Sequence, residues 1–154
     1  ANGRPNLVGI EAVSFSLSHS ADVAALAISR DTRVGVDVED IREIRSDEIE
    51  RALSIAERLE LAEAADALQL ETFIRFWTLK EAFMKGTGLG ASLPLHDFDV
   101  SPAGPGLLRL KSAPTEPGRW RFDEFVPKPG IRAALAARTD DRDLVVQWRW
   151  ADFE

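Results

Sequence analysis

Asp37 and Glu39 stand two apart in the run VGVDVE (residues 34–39), and Glu81 and Lys85 stand four apart in FWTLKEAFMK (76–85). Successive side chains of a β-strand point to opposite faces, so Asp37 and Glu39 share one face with Cα atoms about 6 to 7 Å apart. On an α-helix the spacing of four places Glu81 and Lys85 on a common face, in the order that favours an ion pair. Two carboxylates this close call for a positive charge between them. With Glu81 as a third, the ligands are all hard oxygens, which favours Mg²⁺ or Mn²⁺ over Zn²⁺ in a chain with no Cys. Because Mg²⁺ keeps waters and takes phosphate oxygens as further ligands, such a site points to a phosphorylated substrate. His19, flanked by Ser18 and Ser20, and Arg4 near the start of the chain add donors suited to phosphate oxygens. Each feature has a plainer reading beside this one: an edge strand with acids on its outer face, a surface ion pair worth a few tenths of a kcal/mol, and a structural histidine.

The elements that must position these groups follow from periodicity. SFSLSHS (14–20) alternates with a period of two, which suits a strand with one buried face, and VAALAIS (23–29) reads as a second strand. RDTR (30–33) turns into VGVDVE, whose Val34, Val36 and Val38 face a core while Gly35, Asp37 and Glu39 share the other side. Three short strands joined by turns predict an antiparallel meander. From Ser46 the spacing of Ile49, Leu53, Ala56, Leu59 and Ala62 predicts one helix with Ser46 as N-cap. Residues 71–85 predict a second helix with Phe73, Phe76, Leu79 and Phe83 as its stripe, Trp77 and Met84 beside it, and a stop in the glycines at 86, 88 and 90. Those glycines follow a helix, whereas a phosphate cradle precedes one, so KGTGLG reads as a cap and turn. Beyond Leu93, prolines punctuate β-like runs at 107–111, 120–126, 131–137 and 144–150. The fold class expected is α+β, an antiparallel sheet packed against a long amphipathic helix, as one domain over residues 1–154.

Composition narrows the function. A hydrophobic share of 45% with 29% charged residues is that of a water-soluble globular domain, and no apolar run reaches membrane-spanning length, so a cytoplasmic protein without a membrane partner is expected. The absence of Cys excludes disulfides, thiolate metal sites and a Cys nucleophile. A net charge of −7 disfavours nucleic acid as a partner, and the acidity is local: residues 37–71 hold twelve Asp or Glu against four Arg. A chain that begins ANGRPN without an initiator Met is expected to be a piece of a longer one.

Four stretches in order, GRP (3–5), FSLSHS (15–20), VGVDVE (34–39) and FWTLKEAFMK (76–85) with its GLG and SLPL continuation, resemble the 4′-phosphopantetheinyl transferase superfamily, and SHS with WTLKEA resembles its surfactin-synthetase-activating type. The resemblance implies transfer of 4′-phosphopantetheine from coenzyme A to a serine of an acyl or peptidyl carrier protein, with release of adenosine 3′,5′-bisphosphate. Such carriers serve fatty acid, polyketide or nonribosomal peptide biosynthesis. It implies Mg²⁺ on Asp37, Glu39 and Glu81, and contacts from Arg4, Ser18 and His19 to the nucleotide phosphates and from Lys85 to the pyrophosphate. Asp37 thereby also belongs to the coenzyme A site. Glu81 is implied as general base and Lys85 as the group that stabilises developing charge; Lys80 supports the site or touches the partner. Members of this type have two similar lobes. The chain is therefore expected to be the second lobe with the inter-lobe segment, or to pair as a homodimer in which a second copy replaces the first lobe. A non-catalytic module that binds coenzyme A or a carrier is the alternative.

Overall fold

Strands rich in serine and small apolar residues open the described part of the chain, where β1 (Ser14–Ser20) and β2 (Val23–Ser29) pair antiparallel. The computed structural model describes residues 13–104, 107–112, 120–138 and 144–152. The expected meander stops at this hairpin. Strand β3 (Val34–Asp40) pairs antiparallel not with β2 but with β7 (Ile131–Arg138), whose other edge takes β6 (Trp120–Phe125), giving the order β3-β7-β6.

The physical reason lies in the serines. The N–H groups of Val34, Val36, Val38 and Asp40 donate to the hydroxyls of Ser14, Ser16, Ser18 and Ser20 at 3.2, 3.1, 3.3 and 3.1 Å. The constant offset of twenty residues means that β1 runs parallel to β3, with side-chain oxygens standing where a neighbouring strand would offer carbonyls. An open sheet edge is thereby covered. The buried face of β1 is consequently its serine face, and Leu17 is turned outward and 56% exposed.

Strand β3 keeps the predicted alternation, but both of its faces are covered. Val34, Val36 and Val38 pack with Leu135, Ala137, Ile131 and Ala133 against Val23, Ala25 and Ala27 of the hairpin. Gly35, Asp37 and Glu39 lie under helix α3 (Gln69–Thr87), together with Ala134 and Ala136 of β7. The stripe Phe73, Phe76, Leu79 and Phe83 is buried as expected, and Phe83 meets the rings of Phe98, Trp120 and Phe122 at 5.2, 4.9 and 6.1 Å. The helix ends where Gly88 takes the left-handed conformation, φ 73°, with its N–H on the Met84 carbonyl.

Other expectations are corrected. The predicted helix from Ser46 is two, α1 (Ser46–Ala52) and α2 (Ile55–Glu63), and the first is capped at Arg45 instead of Ser46. The chain breaks at Leu53 because Ser54 caps α2: its hydroxyl accepts the Glu57 N–H at 3.2 Å and the Glu57 carboxylate accepts the Ser54 N–H at 2.9 Å. This resets the helical phase, so Leu53 and Leu61 are buried while Leu59 is exposed. Strand β4 (Asp99–Gly104), outside the β-like runs expected from the sequence, pairs with β5 (Leu107–Ser112). Residues 144–150 form no strand; they lie along the sheet with Leu144 and Val146 against Val34 and Leu135, and Trp148 stacks on Phe125 at 4.7 Å.

Candidate active site between strand β3 and helix α3

Gly35 lets α3 and β3 touch. A Cβ there would stand 2.0 Å from the Ala82 carbonyl oxygen and 2.3 Å from the Gly86 nitrogen, so only glycine permits this approach. The helix runs opposite in direction to the strand. Four helical residues advance about 6 Å and two strand residues about 6.6 Å, so a helix stripe at 77, 81 and 85 stays in step with the strand carboxylates.

Lys85 closes the C-terminal end of that stripe. Its Nζ lies 2.6 Å from Asp37 Oδ1 and 2.9 Å from Ser18 Oγ, and the Ser18 hydroxyl donates to the same Asp37 oxygen at 2.9 Å. The expected Glu81–Lys85 partnership is therefore replaced by Asp37–Lys85, across elements instead of along the helix. At the other end Trp77 is near enough to Glu39 to favour its ionised form. Trp77 is held in turn against Phe73, 5.9 Å between ring centres.

Between these ends the electrostatics are unbalanced. Burial, then the charge of Asp37, pushes Glu81 up to about 7, with Lys85 opposing and Glu39 adding to the rise. Burial raises Asp37 despite the neighbouring Lys85. Glu39 is raised by burial and by Asp37, against the pull of Trp77 and Arg42. The three carboxylates thus sense one another across the β3–α3 contact.

Whether they suit a cation can be read from the donors. Asp37 Oδ2 is buried and has no hydrogen-bond partner among the described residues, and the other oxygen of that carboxylate already serves Lys85 and Ser18. An acceptor in that state, beside a carboxyl group driven toward neutrality by its neighbours, fits a hard cation. Among the described residues, however, no three acidic or imidazole side chains are already gathered as a metal cage. Asp37, Glu39 and Glu81 are neighbours whose remaining coordination would come from water and substrate oxygens.

The structure does not gather all the residues expected at the site. Ser18 lies in it, inside strand β1 as the alternation of SFSLSHS predicts. His19, next in sequence, is exposed on the opposite face of β1, paired in register with Ala24. Arg4 and the GRP segment lie outside the described residues. Lys80 does not face the site: fully buried, it donates to the carbonyls of Ala52 (2.9 Å) and Leu95 (2.7 Å) and to the Glu57 carboxylate, with Nζ 4.9 Å from the centre of the Phe98 ring. Its role is to fasten α3 to α1, α2 and the segment leading into β4. Sequence reasoning missed the close approach at Gly35 and the partner Glu57. The signals were present: a glycine inside a strand marks a close backbone approach, and S-x-x-E at 54–57 is a capping box.

Comparison with known proteins fits this geometry. Residues 33–139 match the family model described as the 4′-phosphopantetheinyl transferase superfamily. The 4′-phosphopantetheinyl transferase psf-1 of Bacillus pumilus is 38% identical over 111 residues, covering 71% of this chain and 47% of the relative. The 4′-phosphopantetheinyl transferase Sfp of Bacillus subtilis is 27% identical over 139 residues, 90% of this chain and 61% of the relative. The chain thus spans about half the length of the curated relatives it matches. In three dimensions it resembles a holo-(acyl-carrier-protein) synthase from Bacillus anthracis solved in complex with CoA (3′,5′-ADP), with a TM-score of 0.60 at 18% identity, covering 70% of this chain and 96% of that one. The match spans β3, α3 and β7, the elements that hold the carboxylates and Lys85, and the chain belongs to the 4′-phosphopantetheinyl transferase superfamily.

Proposed function

We propose that this chain transfers the 4′-phosphopantetheine group of coenzyme A to a serine of an acyl or peptidyl carrier protein. The observation that carries the reading is the Asp37–Lys85–Glu81 cluster, a buried carboxylate with an orphaned oxygen beside a lysine and a carboxyl group poised near pH 7. Asp37, Glu39 and Glu81 would hold Mg²⁺, which supplies charge neutralisation to the diphosphate. Glu81, directly or through a water, would take the proton of the carrier serine. The serine oxygen forms a bond to the β-phosphorus as the bond to the bridging oxygen on the α-phosphate side breaks, and adenosine 3′,5′-bisphosphate leaves. Lys85, with its side chain 31% exposed, meets the negative charge that develops on the phosphate oxygens. Arg4 and His19 stay proposed phosphate contacts, and the whole chain is proposed as one cytoplasmic domain. Among the described residues no helix is long and apolar enough to cross a membrane.

The test is incubation with coenzyme A, Mg²⁺ and an apo carrier. A mass gain of one phosphopantetheine on the carrier is expected, lost with chelator. Coenzyme A binding without any such gain, with an active relative run in parallel, marks the chain as a non-catalytic binding module instead. One observation favours a second copy as an additional partner: the outer face of the β1–β2 hairpin leaves Leu17, Leu26 and Ile28 at 56%, 58% and 64% exposure. Light scattering that gives twice the chain mass supports a homodimer, and a monomer mass removes it.

A further inference from the structure

Ser18 is the point where the serine strand meets the site, and its hydroxyl is fully used. A hydroxyl offers one proton and two lone pairs. Here the proton goes to Asp37 Oδ1 at 2.9 Å, and the lone pairs receive Lys85 Nζ at 2.9 Å and the Val38 N–H at 3.3 Å. The side chain is buried, and the three partners come from two different elements, β3 and α3. Nothing is left on this oxygen to bind a phosphate without giving up one of those bonds. Family likeness placed Ser18 among the phosphate contacts; its valences are spent on the protein.

We propose that Ser18 is a positioning residue: through one hydroxyl it fixes the Asp37 carboxylate and the Lys85 ammonium relative to each other and to β3, and does not itself contact coenzyme A. The proposal rests on the transferase reading above. Asp37 has two oxygens, and the Ser18 and Lys85 bonds both fall on Oδ1, which leaves Oδ2 directed elsewhere as the free acceptor. The same contacts hold Nζ of Lys85, a side chain with four rotatable bonds, at one place. The neighbouring serines lack this double duty toward the site. Ser16 accepts the Val36 N–H, and Ser20 bonds the N–H and carboxylate of Asp40. The ladder therefore holds β1 against β3 along its length, and at Ser18 that same ladder sets the catalytic pair.

The experiment compares Ser18→Ala, Ser18→Thr and, as a control in the same ladder, Ser16→Ala. Calorimetry measures coenzyme A binding with EDTA and with Mg²⁺, and steady-state transfer gives kcat and KM. A hydrogen bond to a charged group is worth about tenfold or somewhat more. Ser18→Ala is expected to keep the EDTA affinity within about twofold, to lose about tenfold of the tightening that Mg²⁺ confers, and to lower kcat about tenfold with KM little changed. Ser18→Thr is expected to restore most of this, and Ser16→Ala to behave as the parent. A tenfold loss of coenzyme A affinity in EDTA for Ser18→Ala overturns the proposal, because it shows direct contact with the ligand.

The Lys85 ammonium signal in ¹⁵N NMR separates this proposal from the function it rests on. Held by two oxygens, it is expected to be observable in the parent and in Ser16→Ala and to broaden away in Ser18→Ala. If the parent neither binds coenzyme A nor transfers, the transferase reading fails while the NMR result still decides Ser18; an unchanged Lys85 signal in Ser18→Ala overturns the positioning role whatever the activity. Should Ser18→Ala fail to fold, Ser18→Gly leaves room for a water that can satisfy the Val38 N–H, and the same criteria apply to it.

Discussion

Helix α3 carries two lysine–carboxylate pairs five residues apart, and they are built in opposite ways. Lys80 and Glu57 are both buried, and the hydrogen bonds of each are complete: Lys80 has two carbonyls besides its carboxylate, and Glu57 receives the Ser54 and Val100 N–H groups at 2.9 Å each. Lys85 and Asp37 are unequal. The lysine is partly open to solvent and the carboxylate, buried, keeps one oxygen unpartnered. A buried pair with every valence met belongs to the architecture, because removing either member leaves a charge with nowhere to go. A pair left incomplete at a buried oxygen has capacity for a ligand. The two lysines of one motif, KEAFMK, thus differ in their bonding: one pair is complete and the other keeps an open buried oxygen.

The largest expected effect breaks the first pair. Lys80→Met leaves the Glu57 charge buried and orphans the carbonyls of Ala52 and Leu95, at a cost of about 3–5 kcal/mol in denaturant unfolding. Adding Glu57→Leu is expected to recover part of that loss. Lys85→Met is expected to cost less than about 1 kcal/mol, because Asp37, whose pKa burial already raises, can become neutral by taking a proton. It should nevertheless lower transfer by about two orders of magnitude. Equal stability losses for the two lysines would erase the distinction drawn between them.

Gly35→Ala tests the contact on which the Lys85–Asp37 pair depends. Its Cβ meets backbone atoms of Ala82 and Gly86, which cannot rotate away, so the helix must lift from the strand. A stability loss of about 1–3 kcal/mol is expected from such overpacking. Transfer should fall further than that loss explains, since Lys85 would be drawn away from Asp37. Activity preserved at the parent level would show that the site tolerates separation of its two rails.

What was legible in the sequence, and what was not, follows the same division. Alternation in VGVDVE and the stripe of α3 placed Asp37, Glu39, Glu81 and Lys85 on facing surfaces, because those periods are local properties of one element. Which partner Lys85 takes is not local, and helix spacing alone pointed to Glu81 where the structure gives Asp37. The serine strand was read for its period but not for which face is buried, since hydroxyls satisfying the N–H groups of another strand leave no trace in hydrophobicity. The break at Leu53 was readable from Ser54 and Glu57 but was masked by the apolar spacing that runs across it.

Glu81 sharpens the comparison through pH. A carboxyl group raised in the folded state from 4.5 to about 7 is ionised more readily in the unfolded chain, so it lowers stability as pH rises through that interval. Asp37 and Glu39, also raised, act in the same direction. Glu48, held at about 2 chiefly by Arg42, has finished titrating below this window. In chelator, the protein is therefore expected to melt at a higher temperature at pH 5.5 than at pH 8. Glu81→Gln should flatten the difference. A melting temperature that rises over the same interval, or an unaltered slope in Glu81→Gln, would remove Glu81 as the group responsible.

The smallest effect belongs to a third pair on the same helix. Arg75 donates to both oxygens of Glu124 at 2.6 and 2.8 Å, joining α3 to β6 at about a quarter to a third exposure. Its geometry is better than that of Lys85–Asp37, yet solvent screens it and no buried oxygen waits beside it. Such a pair contributes about 0.5–1 kcal/mol. Arg75→Ala is expected to shift unfolding by that amount, more in low salt than in high, and to leave kcat and KM as they were. If it instead reduced transfer as Lys85→Met does, distance from the buried Asp37 oxygen would no longer separate functional pairs from structural ones, and the contrast between Lys80 and Lys85 would have to rest on burial alone.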